Sequence, residues 1–301
     1  MGVVMLVNPK SGRGRAVRLA DRFEAVLASE GFGVKRLAAI RGVDAEAGEP
    51  FDPARFAGAD ALVVFGGDGT LSRVAGLASQ TETPVYHVPV GNENLFARQF
   101  GMSRDPGALA VALRRRDVAL TDLAGATQGE AEFRFLIMAS AGPDAGVVHR
   151  LADQRTKAIG HAAYAQPVVD ELVRPSIPRL TIDVDGQRIV SDVTGWVVVA
   201  NARPYGTGVD FARHASSVSA KLDVLFMPCT TSAQATSWIL RARVGWHLRD
   251  KRLVYRSGTS IAVTVHGKKS VWQADGEALP MNGAREIRLG VQPRALPVIR
   301  P

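Results

Sequence analysis

The densest candidate for chemistry in this chain is the run Gly66-Gly67-Asp68-Gly69-Thr70. Three glycines in four places let the backbone approach a ligand closely and turn N–H groups toward anionic oxygens. A helical pattern resumes at Leu71, and its N-terminus would add a positive dipole end. Asp68 would repel a phosphate directly, so its presence there fits a Mg²⁺ bridging carboxylate and phosphates, as phosphoryl transfer commonly requires. The competing reading is a tight turn with an ordinary helix cap.

Two further loops share this character. Asn8-Pro9-Lys10-Ser11-Gly12-Arg13-Gly14 lacks the spacing of a Walker A motif and of a Rossmann fingerprint. Alone it is as readily a structural strand-to-helix turn; paired with 66–70 it points to a nucleotide phosphate site. Gly91-Asn92-Glu93-Asn94 could hydrogen-bond a nucleotide or cap the helix running through Arg98. Far along the chain, Gln273-Ala274-Asp275-Gly276-Glu277 sets two carboxylates around a glycine. Such a pair can supply a general base and an electrostatic partner for a hydroxyl nucleophile, although Asp-Gly by composition alone is more often a hairpin turn. His87, His149, His161, His214, His247 and His266 show no metal-ligand spacing.

The elements that must position these loops follow from the hydrophobic pattern. Runs at 3–7, 61–65 and 84–89 predict short buried strands, each leading into a glycine-rich loop and then a helix. The first helix would bury Ala16, Leu19, Phe23 and Val26 and end at Gly31. Strand, loop and helix repeated three times predict an α/β layer with its loops at the strand C-termini. Near Asp122 the character changes. Strands are expected at 133–139, 179–184, 189–193, 196–201, 221–227, 260–265 and 286–291, with Asp185-Gly186 as a hairpin turn. Helical stretches at 142–173 and 232–249 interrupt them. The domains expected are 1–121 and 122–290, with a tail over 291–301 packing back toward the first.

Composition bounds the rest. A chain of 301 residues, 46% hydrophobic and 22% charged, can bury cores and suits two domains. One cysteine, Cys229, excludes a disulfide scaffold and a Cys-rich zinc site and fits a reducing compartment. No apolar run approaches the ~18 residues of a membrane span, and residues 1–7 lack the basic region of a signal peptide. The formal charge is +8, with 37 Lys and Arg of which seven are Lys. Such a field suits nucleic acid, an anionic membrane or a phosphorylated substrate, but a solvated, Arg-rich surface is the plainer reading and no nucleic-acid partner is expected. Trp238, Ile239, Val244 and Trp246 alternate with Arg241, Arg243 and Arg249. They read first as a core-facing amphipathic helix and second as an interfacial membrane face. Residues 158–173 could line a lipid-entry cleft or pack in the core.

Taken in order, Asn8-Pro-x-Ser-Gly12, Gly66-Gly-Asp-Gly-Thr70, Gly91-x-x-Asn94-x-Phe-Ala-Arg98 and Asp275-Gly-Glu277 resemble the diacylglycerol kinase catalytic-domain family, which includes bacterial lipid kinases and the sphingosine and ceramide kinases. Weaker matches are Gly142-Pro-Asp144-Ala145, Lys157-x-x-Gly160-x-x-x-Tyr164, and Asn201 with Leu222-Asp223-Val224. The glycine loop is shared with NAD kinases; the opening and closing motifs favour the lipid-kinase branch. The resemblance implies a three-layer α/β nucleotide-binding domain of the NAD kinase/diacylglycerol kinase type, followed by a mainly β, sandwich-like domain. It implies ATP and Mg²⁺ as cofactors, with Asn8, Ser11, Gly12, Gly66, Gly67, Asp68, Gly69, Thr70, Asn92 and Asn94 holding the nucleotide and Asp68 reaching Mg²⁺ through the phosphates. Glu277 would accept the proton of a lipid hydroxyl, assisted by Asp275, and the catalytic set would be Glu277, Asp275 and Asp68. The implied reaction moves the γ-phosphoryl group of ATP to diacylglycerol or a similar lipid. The expected setting is cytoplasmic, peripheral to the inner face of the membrane, with a homodimer left open. Asn92 and Leu95 stand where the family has Thr and Asp, Ser219-Ala220 where it has Asp-Gly, and Gly206-Thr207-Gly208 where it has three glycines. A catalytically silent nucleotide or lipid sensor on the same fold and an NAD kinase are the alternatives.

Overall fold

The computed structural model describes residues 1–37, 52–153, 165–267, 271–280 and 284–301. Lys157, Gly160, His161 and Tyr164, named above, lie outside them. The chain divides into two compact units, one of residues 1–121 with 294–301 and one of residues 122–293.

The first unit is built on parallel strands β1 (Gly2–Val7), β2 (Gly33–Leu37), β3 (Ala61–Gly66) and β4 (Val85–Pro89), in the order β2-β1-β3-β4. β3 is buried along its whole length, the burial expected of a parallel strand covered on both faces. Helix α1 (Arg15–Ser29) buries Ala16, Ala20, Phe23 and Leu27. This face is rotated from the expected one, leaving Leu19 and Val26 half-buried; Phe23, common to both faces, packs its ring edge-on against Phe65 of β3 at 5.1 Å. Gly31, at φ +85, ends α1 with the paired bonds of a Schellman turn, Phe32 N–H to Leu27 O and Gly31 N–H to Ala28 O. Helices α2 (Asp68–Gln80), α3 (Leu95–Gln99) and α4 (Pro106–Arg115) follow β3 and β4. β2 and α4 escape a purely periodic reading, since β2 is half-exposed and α4 starts at Pro106 behind an Asp105 cap that accepts the Gly107 N–H at 3.0 Å. The chain end is fastened within this unit: Val298 pairs with Val85, and the Arg300 guanidinium binds Asp117 at 2.6 Å.

The second unit is antiparallel and sandwich-like. Its longest strand begun and ended within the unit, β9 (Gln187–Ala200), replaces the two separate strands expected over 189–201. Its first half pairs with β8 (Arg179–Val184) through the Asp185-Gly186 turn, both residues at positive φ as a type I′ hairpin requires. Its second half pairs with β10 (Leu222–Pro228) and β7 (Met138–Ala141). At Gly195, between the halves, a Cβ would come within 2.5 Å of the Phe226 ring, so the strand can pass from one sheet to the other only with glycine there.

Among the described residues one sheet continues from β8 to β12 (Ser260–His266), β15 (Glu286–Ile299), β5 (Val118–Gln128) and β6 (Ala131–Phe135). The other runs β14 (Glu277–Leu279), β13 (Trp272–Ala274), β7, β9, β10 and β11 (Val254–Gly258). Phe135, Leu180, Ile182, Val197, Val199, Leu222, Val224, Phe226, Ile261, Val263, Trp272, Ile287 and Leu289 fill the core between them. The strand expected over 133–139 is two strands, β6 and β7. The helix expected over 142–173 is α5 (Pro143–Asp153) and α6 (Ala165–Val173), and that over 232–249 stops as α7 (Ser232–Val244) before a 3₁₀ turn, Trp246–Arg249.

Ala220 sits at φ +58, in the left-handed region that costs an L-residue about 1–2 kcal/mol. Its N–H donates to the buried Asp122 carboxylate at 2.7 Å, which holds the turn in place. Ala220→Gly is therefore expected to raise unfolding stability by about 1 kcal/mol, after the entropic cost of glycine, in a urea titration.

Candidate active site

All three glycine loops leave the C-terminal ends of β1, β3 and β4 in the first unit, and they are locked to one another. Asn8 Nδ2 donates to Thr70 Oγ1 at 3.0 Å, and Asn8 Oδ1 accepts the Lys10 N–H at 3.1 Å. A Cβ on Gly91 would come within 2.8 Å of the Gly67 Cα, and one on Gly12, at φ +60, within 2.5 Å of Val90. A Cβ on Gly66 would meet Thr70 at 2.6 Å. Glycine is thus required at Gly91, where backbone meets backbone, and at Gly12 and Gly66, where side chains of Val90 and Thr70 fill the space. Gly12, Arg13 and Gly14 all lie at positive φ, and Ser11 opens that turn with its N–H on Asn8 O at 3.1 Å.

Asp68 opens helix α2, three residues before the helical pattern seen in sequence, and its side chain turns to the third loop. One carboxylate oxygen accepts the Leu95 N–H at 2.9 Å and the other the Phe96 N–H at 3.0 Å. Asp68 therefore caps helix α3 from a distance, with its side chain 9% exposed. Each of its oxygens already holds a buried N–H, and among the described residues no three His, Cys, Asp or Glu come together as a metal cluster. This geometry gives Asp68 a structural task, and since each oxygen keeps a further lone pair it leaves the expected Mg²⁺ contact through the phosphates untouched. Leu95, where the family carries Asp, contributes its backbone N–H to the same arrangement. Asn94, at φ +49, shapes the third loop: its amide closes a ring with Gly91, accepting the Gly91 N–H at 2.8 Å and donating to Gly91 O at 2.7 Å. Asn92 is exposed.

His87, which nothing in its spacing marks, lies fully buried beside Asp68. Its Nε2 bonds Gly66 O at 3.0 Å, which sets Nε2 as the protonated nitrogen, and its Nδ1 lies 4.0 Å from Asp68 Oδ1. Burial holds this imidazole below its ordinary range, with the Asp68 charge opposing.

In the second unit the residues around Glu277 form a compact system. Asp275 sits at φ +48 between β13 and β14, and its carboxylate gathers the N–H groups of Leu136, Ile137 and Met138 at 2.7, 2.9 and 3.1 Å. This fastens the turn to the start of β7 and gives Asp275 a positioning task. Gln273 braces the turn from inside, its Oε1 accepting the Gly276 N–H at 2.9 Å. Its Nε2 reaches Ser140 Oγ at 2.7 Å and Asp144 Oδ2 at 3.3 Å. Asp144 also accepts from Ser140 at 2.5 Å and from Tyr205 at 2.8 Å. Burial pushes the Asp144 carboxyl above its ordinary range, against the pull of those donors, and burial and Asp144 push the Tyr205 phenol well above its own. Glu277 is half-buried, at the start of β14, one residue beyond this braced turn. Ser140, Tyr205 and the Gln273 role were missed in sequence; the signal available was a lone Ser in an apolar strand four residues before Asp144.

Ser219 and Ala220 form a closed turn, with Ser219 Oγ bonding Lys221 O at 3.1 Å. Neither carries a carboxylate, where the family pattern has Asp-Gly. Asn201, flagged as a weak match, is structural, donating to Asp122 O and Leu136 O. Of residues 158–173, those from 165 on are described, and α6 leaves Val169, Leu172 and Val173 exposed.

A parallel α/β unit ending in three interlocked glycine loops, followed by a sandwich-like unit, defines the fold class shared by NAD kinases and diacylglycerol kinases. Residues 2–126 match the diacylglycerol kinase catalytic domain, and residues 137–300 match the YegS C-terminal NAD kinase beta sandwich-like domain. The chain belongs to the diacylglycerol kinase catalytic-domain family, and hence to a family of phosphotransferases. The "Diacylglycerol kinase" of Mycobacterium tuberculosis (strain ATCC 25618 / H37Rv) is 30% identical over 309 residues, spanning 99% of this chain and 95% of that one. A crystal structure of a diacylglycerol kinase from Bacillus anthracis str. Sterne superposes with TM-score 0.66 at 17% identity, covering 100% of this chain and 97% of that one. Yeast NADH kinase shares the fold at TM-score 0.52 and 12% identity, covering 99% and 82%.

Two outcomes follow for Asp68 and His87. Asp68→Ala leaves two buried N–H groups without acceptors and is expected to cost about 2–4 kcal/mol of unfolding free energy, with Asp68→Asn between it and wild type. The neutral His87 of the folded state gives way to a protonated one in the unfolded chain below about pH 6.5, so stability falls as pH drops through that value. His247, also held down by burial, acts in the same sense. His87→Gln should flatten the fall between pH 7 and 5, by up to about 1.4 kcal/mol per pH unit, in thermal melts.

Proposed function

We propose that the chain transfers the γ-phosphoryl group of ATP to the hydroxyl of a membrane lipid of the diacylglycerol class. The observation that carries this reading is the pairing, in one chain, of interlocked phosphate-binding-type loops with a braced Asp275-Gly276-Glu277 turn, in a sequence matched over nearly its full length by a diacylglycerol kinase relative.

The backbone of 11–14, the α2 N-terminus at 67–69 and the loop from Gly91 would hold the phosphates through N–H groups, which need no side-chain rearrangement. Asn8, Ser11, Gly12, Gly66, Gly67, Gly69 and Thr70 belong to that framework, with Asp68 and Asn94 setting the loop shapes. A Mg²⁺ carried in by the nucleotide would neutralise phosphate charge, with Asp68 reaching it through the phosphates; no step below is routed through it. Glu277 takes the proton of the lipid hydroxyl as its oxygen bonds to the γ-phosphorus, while the bond to the β–γ bridging oxygen breaks and ADP leaves. Asp275 and Gln273 act on the backbone that carries Glu277 and touch neither donor nor acceptor.

The test is transfer of labelled phosphate from ATP into mixed micelles of diacylglycerol, sphingosine or ceramide, with NAD as a separate acceptor. The expected result is labelled phosphatidic acid, lost by roughly 10²–10⁴-fold in Glu277→Gln with ATP affinity unchanged. Faster labelling of NAD than of any lipid, or full activity in Glu277→Gln, would contradict the reading.

A further inference from the structure

Between residues 229 and 256 the chain carries six Lys and Arg against one Asp, so this short segment holds more than half of the formal excess of +8. Helix α7 and the 3₁₀ turn Trp246–Arg249 form its middle. The inner face of α7 is packed: Ala235, Trp238 and Ala242 are buried, and Trp238 Nε1–H donates to Pro228 O at 3.1 Å. Toward its C-terminal end the outer face leaves two aliphatic side chains uncovered among polar and basic ones. Leu240 and Val244, one helical turn apart, are 61% and 57% exposed. Gly245, at φ +79, ends the helix, and Trp246 beyond it is 64% exposed. These three line one shallow depression with Arg241, Arg249 and Asp250. Exposed Arg243, Lys251 and Arg252 lie close by in sequence, and the single acid, Asp250, is already bound by Arg241 and Arg252.

We propose that this face docks on an anionic lipid bilayer, with Leu240, Val244 and Trp246 entering the headgroup layer and the surrounding arginines pairing with lipid phosphates. Three observations favour that occupant. Tryptophan and aliphatic side chains ringed by arginine are the composition of an interfacial contact, the indole being suited to the boundary between water and acyl chains. Guanidinium groups bind phosphates in a bidentate way, and each basic residue near an anionic leaflet adds roughly a fivefold gain in binding. A second copy of the chain would bring the same positive charge across a two-fold axis, and like charges opposed in this way disfavour association. The proposal deepens the lipid-kinase reading by giving the enzyme a face toward its acceptor's bilayer, yet binding itself requires no turnover.

The experiment uses the full chain with sonicated vesicles of phosphatidylcholine, alone or with 30% phosphatidylglycerol (about 30 mol%, enough to set a negative surface potential), read by flotation and tryptophan emission. Trp196, Trp238 and Trp272 are buried, so a blue shift on vesicle addition reports Trp246. Expected are binding to the anionic vesicles, weakened by salt, with a blue shift that disappears in Trp246→Ala. Leu240→Ser with Val244→Ser should lower binding by at least about tenfold, and Arg249→Gln with Lys251→Gln by more than about tenfold from the two charges. Unchanged binding in both double variants would overturn the proposal. So would a wild-type dimer in sedimentation that Trp246→Ala dissolves, since a second copy would then cover the face. Turnover of a soluble short-chain diacylglycerol separates the two readings. If these variants keep that turnover but lose vesicle binding, both stand; if wild type binds vesicles but lacks it, only the kinase reading fails.

Discussion

Carboxylates that gather backbone N–H groups hold the glycine loops of the first unit in shape and, separately, the turn before Glu277 in the second. An ionised carboxylate removed from water is costly unless its oxygens are satisfied, and once satisfied it is a stiff anchor. Asp68 meets this condition with Leu95 and Phe96, tying the second glycine loop to the third. Asp275 meets it with Leu136, Ile137 and Met138, tying the turn before Glu277 to the edge of β7. Neither carboxylate needs to touch a substrate for its loss to be felt. The close contacts of Gly12, Gly66 and Gly91 follow from the same need, because loops drawn this near to one another leave no room for side chains.

Seen this way, the departures from the family pattern matter unequally. Leu95 removes a carboxylate from the third loop, but the position still contributes its N–H to Asp68. Ser219-Ala220 keeps the shape of its turn by accepting a strained φ at Ala220, and it gives up acidic chemistry there. The motifs that keep the family pattern are held firmly here, the glycine loop by the Asn8–Thr70 bond and the turn before Glu277 by the Gln273–Gly276 brace.

Much of the first unit was legible in sequence because its signals are local. Buried parallel strands appear as unbroken apolar runs, and Gly31 and the Asp185-Gly186 pair mark turns that few other residues can adopt. The glycine loops were legible as places, but not in the use of their side chains. That Asp68 caps a helix 27 residues away depends on a tertiary approach that no spacing encodes. The Ser140, Asp144, Tyr205 and Gln273 cluster was hidden for the same reason, since its members come together only when β7 pairs with β13. In α7, Trp238 is buried and Trp246 exposed although both sit in one Arg-rich stretch. The break at Gly245, which turns the second indole outward, was the missed clue.

The claim at the centre of this account is that Glu277 performs the proton transfer and Asp275 acts only through it. The most direct test measures phosphatidic acid formation by wild type, Asp275→Asn, Glu277→Gln and the double variant under saturating ATP. Residues acting as one unit give losses that do not multiply, so the double variant should be no slower than Glu277→Gln alone. Multiplied losses, or a wild type that forms no phosphatidic acid, would contradict it.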